Sequence, residues 1–168
     1  RCVAEVKARI PLRLLAYCVM PNHFHLVAWP TEDGQLSDFM WLMTGTHSKR
    51  WHVHRGTVGN GAVYQARYKA FPVQTDRHFL TVCRYVERNP LRAGLVQRAE
   101  DWPWSSLAGR GKYFNIVPLD TWPILQPLDW TDLVNAVQTT GDVDRVRRSV
   151  RRGLPLGDQS WTRDTSVR

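Results

Sequence analysis

Several features that would assign this chain to a familiar class are missing. Its cysteines, Cys2, Cys18 and Cys83, are odd in number, widely spaced and without a Cys-x-x-Cys pair, which argues against a disulfide scaffold or a zinc ribbon. We expect no signal peptide, and no apolar run approaches the ~18 residues of a membrane-spanning helix. A Gly-x-x-x-x-Gly-Lys-Ser/Thr phosphate loop is also missing, which is consistent with chemistry independent of ATP. We therefore expect a cytoplasmic protein that does not contact membranes.

Acidic residues are scarce relative to basic ones. The 168 residues include 23 Lys and Arg against 15 Asp and Glu, a formal net charge of +8, and the pI is about 9.9. Such an excess favours polyanionic partners. Eight tryptophans and five tyrosines add aromatic faces that can stack on unpaired bases, although we expect most of the tryptophans in the core. The length suits a single domain.

The rest of the chain is organised around an apolar hairpin that carries two histidines. Its arms are predicted at residues 12–19 and 23–29, joined by a turn at Pro21-Asn22. Both arms are apolar on both faces, which predicts strands near the middle of a sheet. Because side chains alternate along a strand, His23 and His25 face the same way and can present two nitrogens to one metal ion. A hydrogen-bonded core histidine is the competing interpretation.

Hydrophobic spacing and proline positions predict the remaining elements. Residues 68–74 are predicted as a short edge strand because they include Pro72, and residues 101–130 as irregular packing segments. Thr75 or Asp76 is expected to cap the third helix, and Pro90 to end it. Helices are predicted at residues 1–10, 35–52, 76–89, 89–96, 130–139 and 142–152.

The third helix carries a second candidate group. A buried stripe is predicted from Phe79, Val82, Cys83 and Val86. Tyr85 lies off this stripe and is followed by Asn89 at the i+4 position, on a neighbouring face. No other tyrosine has that arrangement: Tyr17 lies in the hairpin, Tyr64 and Tyr68 precede the helix, and Tyr113 lies beyond it.

These blocks resemble the HUH single-strand endonucleases, and more closely the REP-associated tyrosine transposases. The matching stretches are AYCVMPNHFHLV at 16–27, YQARYKA at 64–70, RYVERNPLRAGLV at 84–96, WPWSS at 102–106 and RSVRRG at 148–153. The resemblance implies a ferredoxin-like α+β fold, an antiparallel sheet with helices on one face, and a helical C-terminal extension. We expect residues 1–98 to form the nuclease core and residues 99–168 to extend the same domain.

The resemblance also implies the chemistry and the residues that perform it. It implies metal-dependent cleavage and joining of single-stranded DNA at hairpin-forming repeats, through a 5′-phosphotyrosine on Tyr85. It implies Mg²⁺ or Mn²⁺ held by His23, His25 and Asn89, where many relatives have glutamine. Asn89 could instead cap the turn that begins at Pro90. Two other functions stay open: a structure-specific DNA-binding protein whose catalysis has decayed, and a plasmid relaxase or replication initiator.

Basic side chains in several blocks are candidates for contacts with DNA phosphates. The alternative is that these side chains only form a solvated basic surface. For the last helix, the alternative is that its arginines stabilise the helix through its dipole. The candidates are Lys49, Arg50, Arg55, Arg67, Lys69, Arg84, Arg88, Arg92, Arg147, Arg148 and Arg151.

One feature departs from the family pattern. The usual opening strand, before the first helix, has no counterpart in this sequence. A missing inner strand leaves backbone donors and acceptors unpaired. We therefore expect its place to be empty or filled by a partner chain, with monomer and homodimer both open.

Overall fold

The computed structural model describes residues 2–111 and 117–166 as a mixed α+β structure. None of the helices in these ranges is long and apolar enough to cross a membrane. Tyr113 lies outside the described residues. The elements are α1 (Cys2–Arg9), β1 (Arg13–Val19), β2 (Phe24–Trp29), α2 (Gln35–Arg55), α3 (Arg77–Glu87), α4 (Asn89–Arg92), a 3₁₀ turn (Ala99–Asp101), α5 (Ser106–Gly111), α6 (Trp130–Asn135), α7 (Thr140–Arg152) and α8 (Gln159–Ser166).

The predicted helices are present, with shifted ends. Helix α2 continues to Arg55, where Gly56 adopts a left-handed conformation at φ 65° and stops it. Helix α6 ends at Asn135 rather than near residue 139. Helices α5 and α8 were not predicted from the sequence.

The described chain divides into two compact units. The first contains α1 and α2, from residues 2–13, 28–68 and 117–118. The second contains residues 14–27, 69–111 and 119–166, and a continuous apolar core formed by the hairpin, α3 and the C-terminal segments. The boundary expected at residue 98 stays a prediction.

Strands β1 and β2 form a two-stranded antiparallel sheet. Its turn is closed by the amide of Met20, which donates to the carbonyl of His23 at 2.8 Å. Strand β1 is buried over residues 14–18, as expected for an inner strand, whereas β2 is mostly half-buried. Because the sheet has two strands within the described residues, the expectation that both arms lie in the middle of a sheet is wrong, although β1 is as buried as an inner strand would be.

The edge of β1 that faces away from β2 is covered by the same chain. The backbone N–H and C=O groups of successive residues point to opposite edges of a strand. Because the amide of Met20 points toward the other arm of the hairpin, the backbone groups of Tyr17 and Val19 point away from β2. The amide of Val19 donates to the carbonyl of Trp104 at 2.9 Å, and the amide of Tyr17 donates to Ser106 Oγ at 2.9 Å. Within the described residues this edge of β1 is therefore covered by the chain itself, and what fills the place of the missing opening strand stays a prediction. Strand β2 has no second strand neighbour within the described residues.

Residues 68–74 do not form the predicted strand. Only Val73 pairs, through an isolated parallel bridge to Leu156. The carbonyl of Pro72 accepts from the amide of Leu156 at 2.9 Å, and the amide of Gln74 donates to the carbonyl of Leu156 at 2.9 Å. Pro72 has no N–H to donate, so the ladder cannot extend through it.

Candidate active site

Helix α3 is positioned by the signals that its sequence carries. The Asp76 carboxylate accepts from the amide of His78 at 2.7 Å and caps the helix as predicted. The predicted stripe of Phe79, Val82, Cys83 and Val86 is buried. Tyr85 is also buried, with 6% of its surface exposed, so the expectation that it lies off the buried stripe is wrong.

The two histidines lie side by side next to Tyr85. The ring centroids of His23 and His25 are 5.0 Å apart, and those of His25 and Tyr85 are 5.9 Å apart. Both ring pairs meet edge to face, at 85° and 78°. His23 precedes β2 by one residue and is exposed, whereas His25 is half-buried within it. The hairpin and α3 thus bring two imidazoles and one phenol together.

A neighbouring amide orients the His23 ring. His23 Nδ1 lies 2.7 Å from Asn22 Oδ1. With the amide oxygen as acceptor, Nδ1 carries the proton and Nε2 keeps its lone pair. This is the tautomer that presents Nε2 to a metal ion or to a proton donor.

The surroundings favour neutral imidazoles. Burial lowers the pKa of His25 to about 4, and the positive charges of protonated His23 and of Arg92 contribute to this shift. Burial also lowers the pKa of His23, again with a contribution from Arg92. Only the neutral imidazole ligates a metal ion, so both rings are in the required state near pH 7.

Arg92 connects Tyr85 with Asn89. Its guanidinium carbon lies 4.1 Å from the centroid of the Tyr85 ring, within the range of a cation–π contact. Arg92 Nη2 also donates to Asn89 Oδ1. Asn89 is buried, with 4% of its surface exposed. The N-cap of α4 is Arg88, with no side-chain cap hydrogen bond, so the structure does not support the capping alternative for Asn89.

The donor set fits a divalent ion only in part. His23 and His25 offer adjacent nitrogens. The oxygen of Asn89 already accepts from Arg92, so a cation at that atom would have to displace the guanidinium. Within the described ranges no cluster of three or more His, Cys, Asp or Glu side chains could hold a metal ion.

Two other arginines near the site are engaged by backbone carbonyls. Arg84 Nη2 donates to the carbonyl of Ala136 at 2.8 Å, and Arg88 Nη1 donates to the carbonyl of Val134 at 2.8 Å. These carbonyls lie at the end of α6, where helical oxygens lack intrahelical partners. Arg84 and Arg88 therefore tie α3 to α6, and their phosphate contacts stay a prediction.

The remaining basic candidates are distributed over both units. In the first unit, Arg50 pairs with Glu5 at 2.6 Å. In the second unit, Lys69 Nζ donates to the carbonyl of Arg151 at 3.4 Å. The exposed candidates are Lys49, Arg50, Arg55 and Arg67 in the first unit and Lys69, Arg147, Arg148 and Arg151 in the second.

The sequence did not indicate the role of Glu87, which is fully buried two residues after Tyr85. Its carboxylate accepts from Ser106 Oγ at 2.5 Å and from Trp130 Nε1 at 2.6 Å. These bonds hold α3 against two later segments of the chain. No sequence spacing distinguishes a buried glutamate from an exposed one. The position of Glu87 directly after Val86 of the predicted stripe is a weak signal of burial.

Comparisons with known proteins identify the family of the chain. Residues 1–89, more than half of the 168, match the family model described as "Transposase IS200 like". The chain belongs to the IS200-like transposase family. No solved structure matches it.

Two relatives are REP-associated tyrosine transposases by name. A candidate member from Haemophilus influenzae (strain ATCC 51907 / DSM 11121 / KW20 / Rd) is 24% identical over 104 residues, which cover 57% of this chain and 59% of that protein. The Escherichia coli (strain K12) protein is 24% identical over 135 residues, which cover 76% of this chain and 68% of that protein. The chain thus spans between half and three quarters of the length of either relative.

Proposed function

We propose that this protein is a metal-dependent single-strand DNA endonuclease and strand transferase, acting on hairpin-forming repeat DNA through a 5′-phosphotyrosine. The observation that carries the proposal is the cluster of three rings, in which the centroid of Tyr85 lies 5.9 Å from that of His25, and the centroid of His25 lies 5.0 Å from that of His23. Family membership supports it. We also propose that the hairpin and its helices belong to a ferredoxin-like core over residues 1–98, with residues 99–168 as its extension.

Tyr85 is the proposed nucleophile. Its ring is buried. Four buried side-chain atoms in the described residues lack a hydrogen-bond partner, and the Tyr85 hydroxyl is not among them. The Tyr85 oxygen forms a bond to phosphorus while the bond from phosphorus to the 3′ oxygen of the departing strand breaks. The phenolic proton leaves to water or substrate, and the departing oxygen takes up a proton. No water is consumed, so a 3′-OH can later reverse the step and join strands.

The imidazoles of His23 and His25 would hold Mg²⁺ or Mn²⁺. The family resemblance implies Asn89 as a third ligand, although its oxygen already accepts from Arg92. Such an ion supplies charge neutralisation on the non-bridging phosphate oxygens. Arg92 adds a fixed positive charge beside the nucleophile, because its guanidinium lies over the Tyr85 ring.

The DNA is proposed to bind through backbone phosphates. The net charge of +8 and the exposed arginines of α7 support this, because phosphate contacts from Lys and Arg supply most of the affinity of nonspecific binding. We propose single-stranded or hairpin DNA as the partner and the cytoplasm as the location.

Replacing the nucleophile tests the proposal. Tyr85→Phe keeps the ring under Arg92 and deletes only the hydroxyl, so we expect DNA binding to persist while nicking and the covalent adduct disappear. A labelled hairpin oligonucleotide with a single-stranded flank, incubated with Mg²⁺ and resolved by denaturing electrophoresis, measures both products. Mass spectrometry should place the nucleotide on the peptide that contains Tyr85.

Tyr68→Phe is the matched control. Tyr68 is exposed and hydrogen-bonds to Ser37 at 2.9 Å, so this variant should cleave like the wild type. Full cleavage by Tyr85→Phe, or an adduct on another tyrosine, would reject the assignment. DNA binding without cleavage by the wild type in Mg²⁺ or Mn²⁺ would instead favour the decayed DNA-binding protein.

A further inference from the structure

Two polar donors beside Tyr85 have no acceptor within the described residues. Asn89 Nδ2 and Arg92 Nη1 are buried and make no hydrogen bond there. Their side chains are joined, because the other guanidinium nitrogen of Arg92 donates to Asn89 Oδ1. Buried donors are rarely left unpaired in native proteins, so these two donors call for an acceptor from a bound ligand or from water.

The chemistry of these atoms selects the ligand class. Amide and guanidinium N–H groups only donate hydrogen bonds, so they repel a cation and bind an oxygen that carries negative charge. The Asn89 oxygen, which could have bound a cation, is held by Arg92. A guanidinium and an amide N–H form charge-assisted bonds to phosphate. The pair therefore suits an anion.

We infer that Asn89 and Arg92 form a binding site for a phosphate oxygen beside the Tyr85 ring, and that Asn89 serves this site rather than a metal ion. The inference rests on the proposed function for the source of the phosphate, which is the DNA strand at the nucleophile. Arg92 is half-buried, so it connects the buried amide to the surface. The hydrogen bond from Arg92 Nη2 to Asn89 Oδ1 fixes the identity of the two amide atoms, so that Nδ2 is the atom that can donate to a ligand.

This assignment separates two bound species that the family resemblance joins at Asn89. The two imidazoles bind the metal, and the Asn89–Arg92 pair binds the phosphate. Removing the Asn89 amide should then weaken the binding of DNA when no metal is present. The binding of metal when no DNA is present should stay unchanged. If Asn89 is the third metal ligand, the opposite pattern is expected.

The experiment measures the two affinities separately. A fluorescein-labelled hairpin oligonucleotide with a single-stranded flank is titrated in EDTA, and Mn²⁺ is titrated without DNA by electron paramagnetic resonance. We expect Asn89→Ala and Arg92→Ala each to weaken oligonucleotide binding about tenfold. Because the two residues act as one unit, the double variant should lose less than the product of the single losses. Asn89→Ala should change the Mn²⁺ dissociation constant less than about threefold, whereas His25→Ala should weaken it strongly.

Asn89→Asp sharpens the comparison. It keeps the shape and an oxygen for Arg92 but replaces the amide donor by a negatively charged oxygen. We expect it to bind the oligonucleotide more weakly than Asn89→Ala does, because it repels phosphate. Tighter Mn²⁺ binding by Asn89→Asp together with loss of Mn²⁺ binding by Asn89→Ala would show a metal ligand and overturn the inference.

Control variants keep the outcomes distinct. Arg163→Ala removes one positive charge from an exposed position on α8, so it should weaken oligonucleotide binding much less than Arg92→Ala. Circular dichroism checks that each variant is folded. Unchanged oligonucleotide binding by folded Asn89→Ala and Arg92→Ala would show that the two donors face only an ordered water, and would overturn the inference. Neither titration requires cleavage, so the result stands apart from the Tyr85→Phe test.

Discussion

Glu87 offers a direct test of what holds the tyrosine helix in place. Its carboxylate is fully buried and accepts from Ser106 Oγ and Trp130 Nε1. Glu87→Ala removes the acceptor from both donors. Ser106 Oγ also lies 3.1 Å from the carbonyl of Tyr17, so its hydroxyl can turn to that oxygen. Trp130 Nε1 has no such substitute in its described contacts, and an unpaired buried donor costs about 1–3 kcal/mol.

The loss of packing adds to this cost. The γ-methylene group leaves the core together with the carboxylate, at about 0.8 kcal/mol for the methylene. The expected loss of unfolding free energy for Glu87→Ala is therefore about 2–4 kcal/mol. Glu87→Gln should cost about 1 kcal/mol, because its amide oxygen can accept from Trp130 while its NH₂ donates to Ser106 Oγ. The difference between the variants comes from Trp130, the donor without a second acceptor, and from the packing that only the alanine variant loses.

Urea denaturation, followed by circular dichroism, measures the unfolding free energy of both variants. An unchanged slope of this free energy against urea concentration would show that the unfolding transition is the same. A loss below about 0.5 kcal/mol for Glu87→Ala would refute the network as a source of stability. Equal losses for the alanine and glutamine variants would show that the charge of the carboxylate matters, rather than its two hydrogen bonds. Trp130→Phe is the matched control, because it deletes the same donor while Glu87 is kept.

Two further predictions concern ionic interactions. Replacing Arg147, Arg148 and Arg151 of α7 by alanine should reduce the slope of log K against log salt by up to about one unit for each DNA phosphate that the variant no longer neutralises, and an unchanged slope would favour a purely structural helix. In EDTA, the pKa of His25 is lowered to about 4 from about 6.5 in the unfolded chain, so the unfolded state binds more protons between these values. The unfolding free energy should therefore be intact above pH 6.5 and fall by about 3 kcal/mol as the pH drops to 4, a fall that His25→Gln should remove in urea titrations.

The sequence predicted the elements whose signals are local. The alternation of the hairpin and the Asp76 cap both act within a few residues. The edge of β1 could not be predicted in this way, because its partner Trp104 lies 85 positions further along the chain than Val19. Irregular segments carry no period from which such a pairing could be recognised.

The site shows the same division between local and distant causes. The neighbouring histidines follow from strand alternation alone, as the 5.0 Å centroid distance shows. Arg84, Arg88 and Arg92 are evenly spaced by four residues and look equivalent in the sequence. In the structure the first two bind carbonyls at the end of α6, and only the third covers Tyr85. Their different roles depend on α6, which lies about forty residues downstream.

The covered edge of β1 explains how a two-stranded sheet can be part of a well-packed core. Besides the bonds to Trp104 and Ser106, the carbonyl of Leu15 accepts from Trp122 Nε1 at 2.8 Å, and the carbonyl of Val19 accepts from Trp102 Nε1 at 2.9 Å. Indole N–H groups thus occupy positions that a third strand would otherwise fill, while their rings pack on the core. Buried backbone groups must be paired, and side chains meet that requirement here. Strand β1 can therefore be buried without another strand on this edge, and it holds β2 and its histidines beside Tyr85.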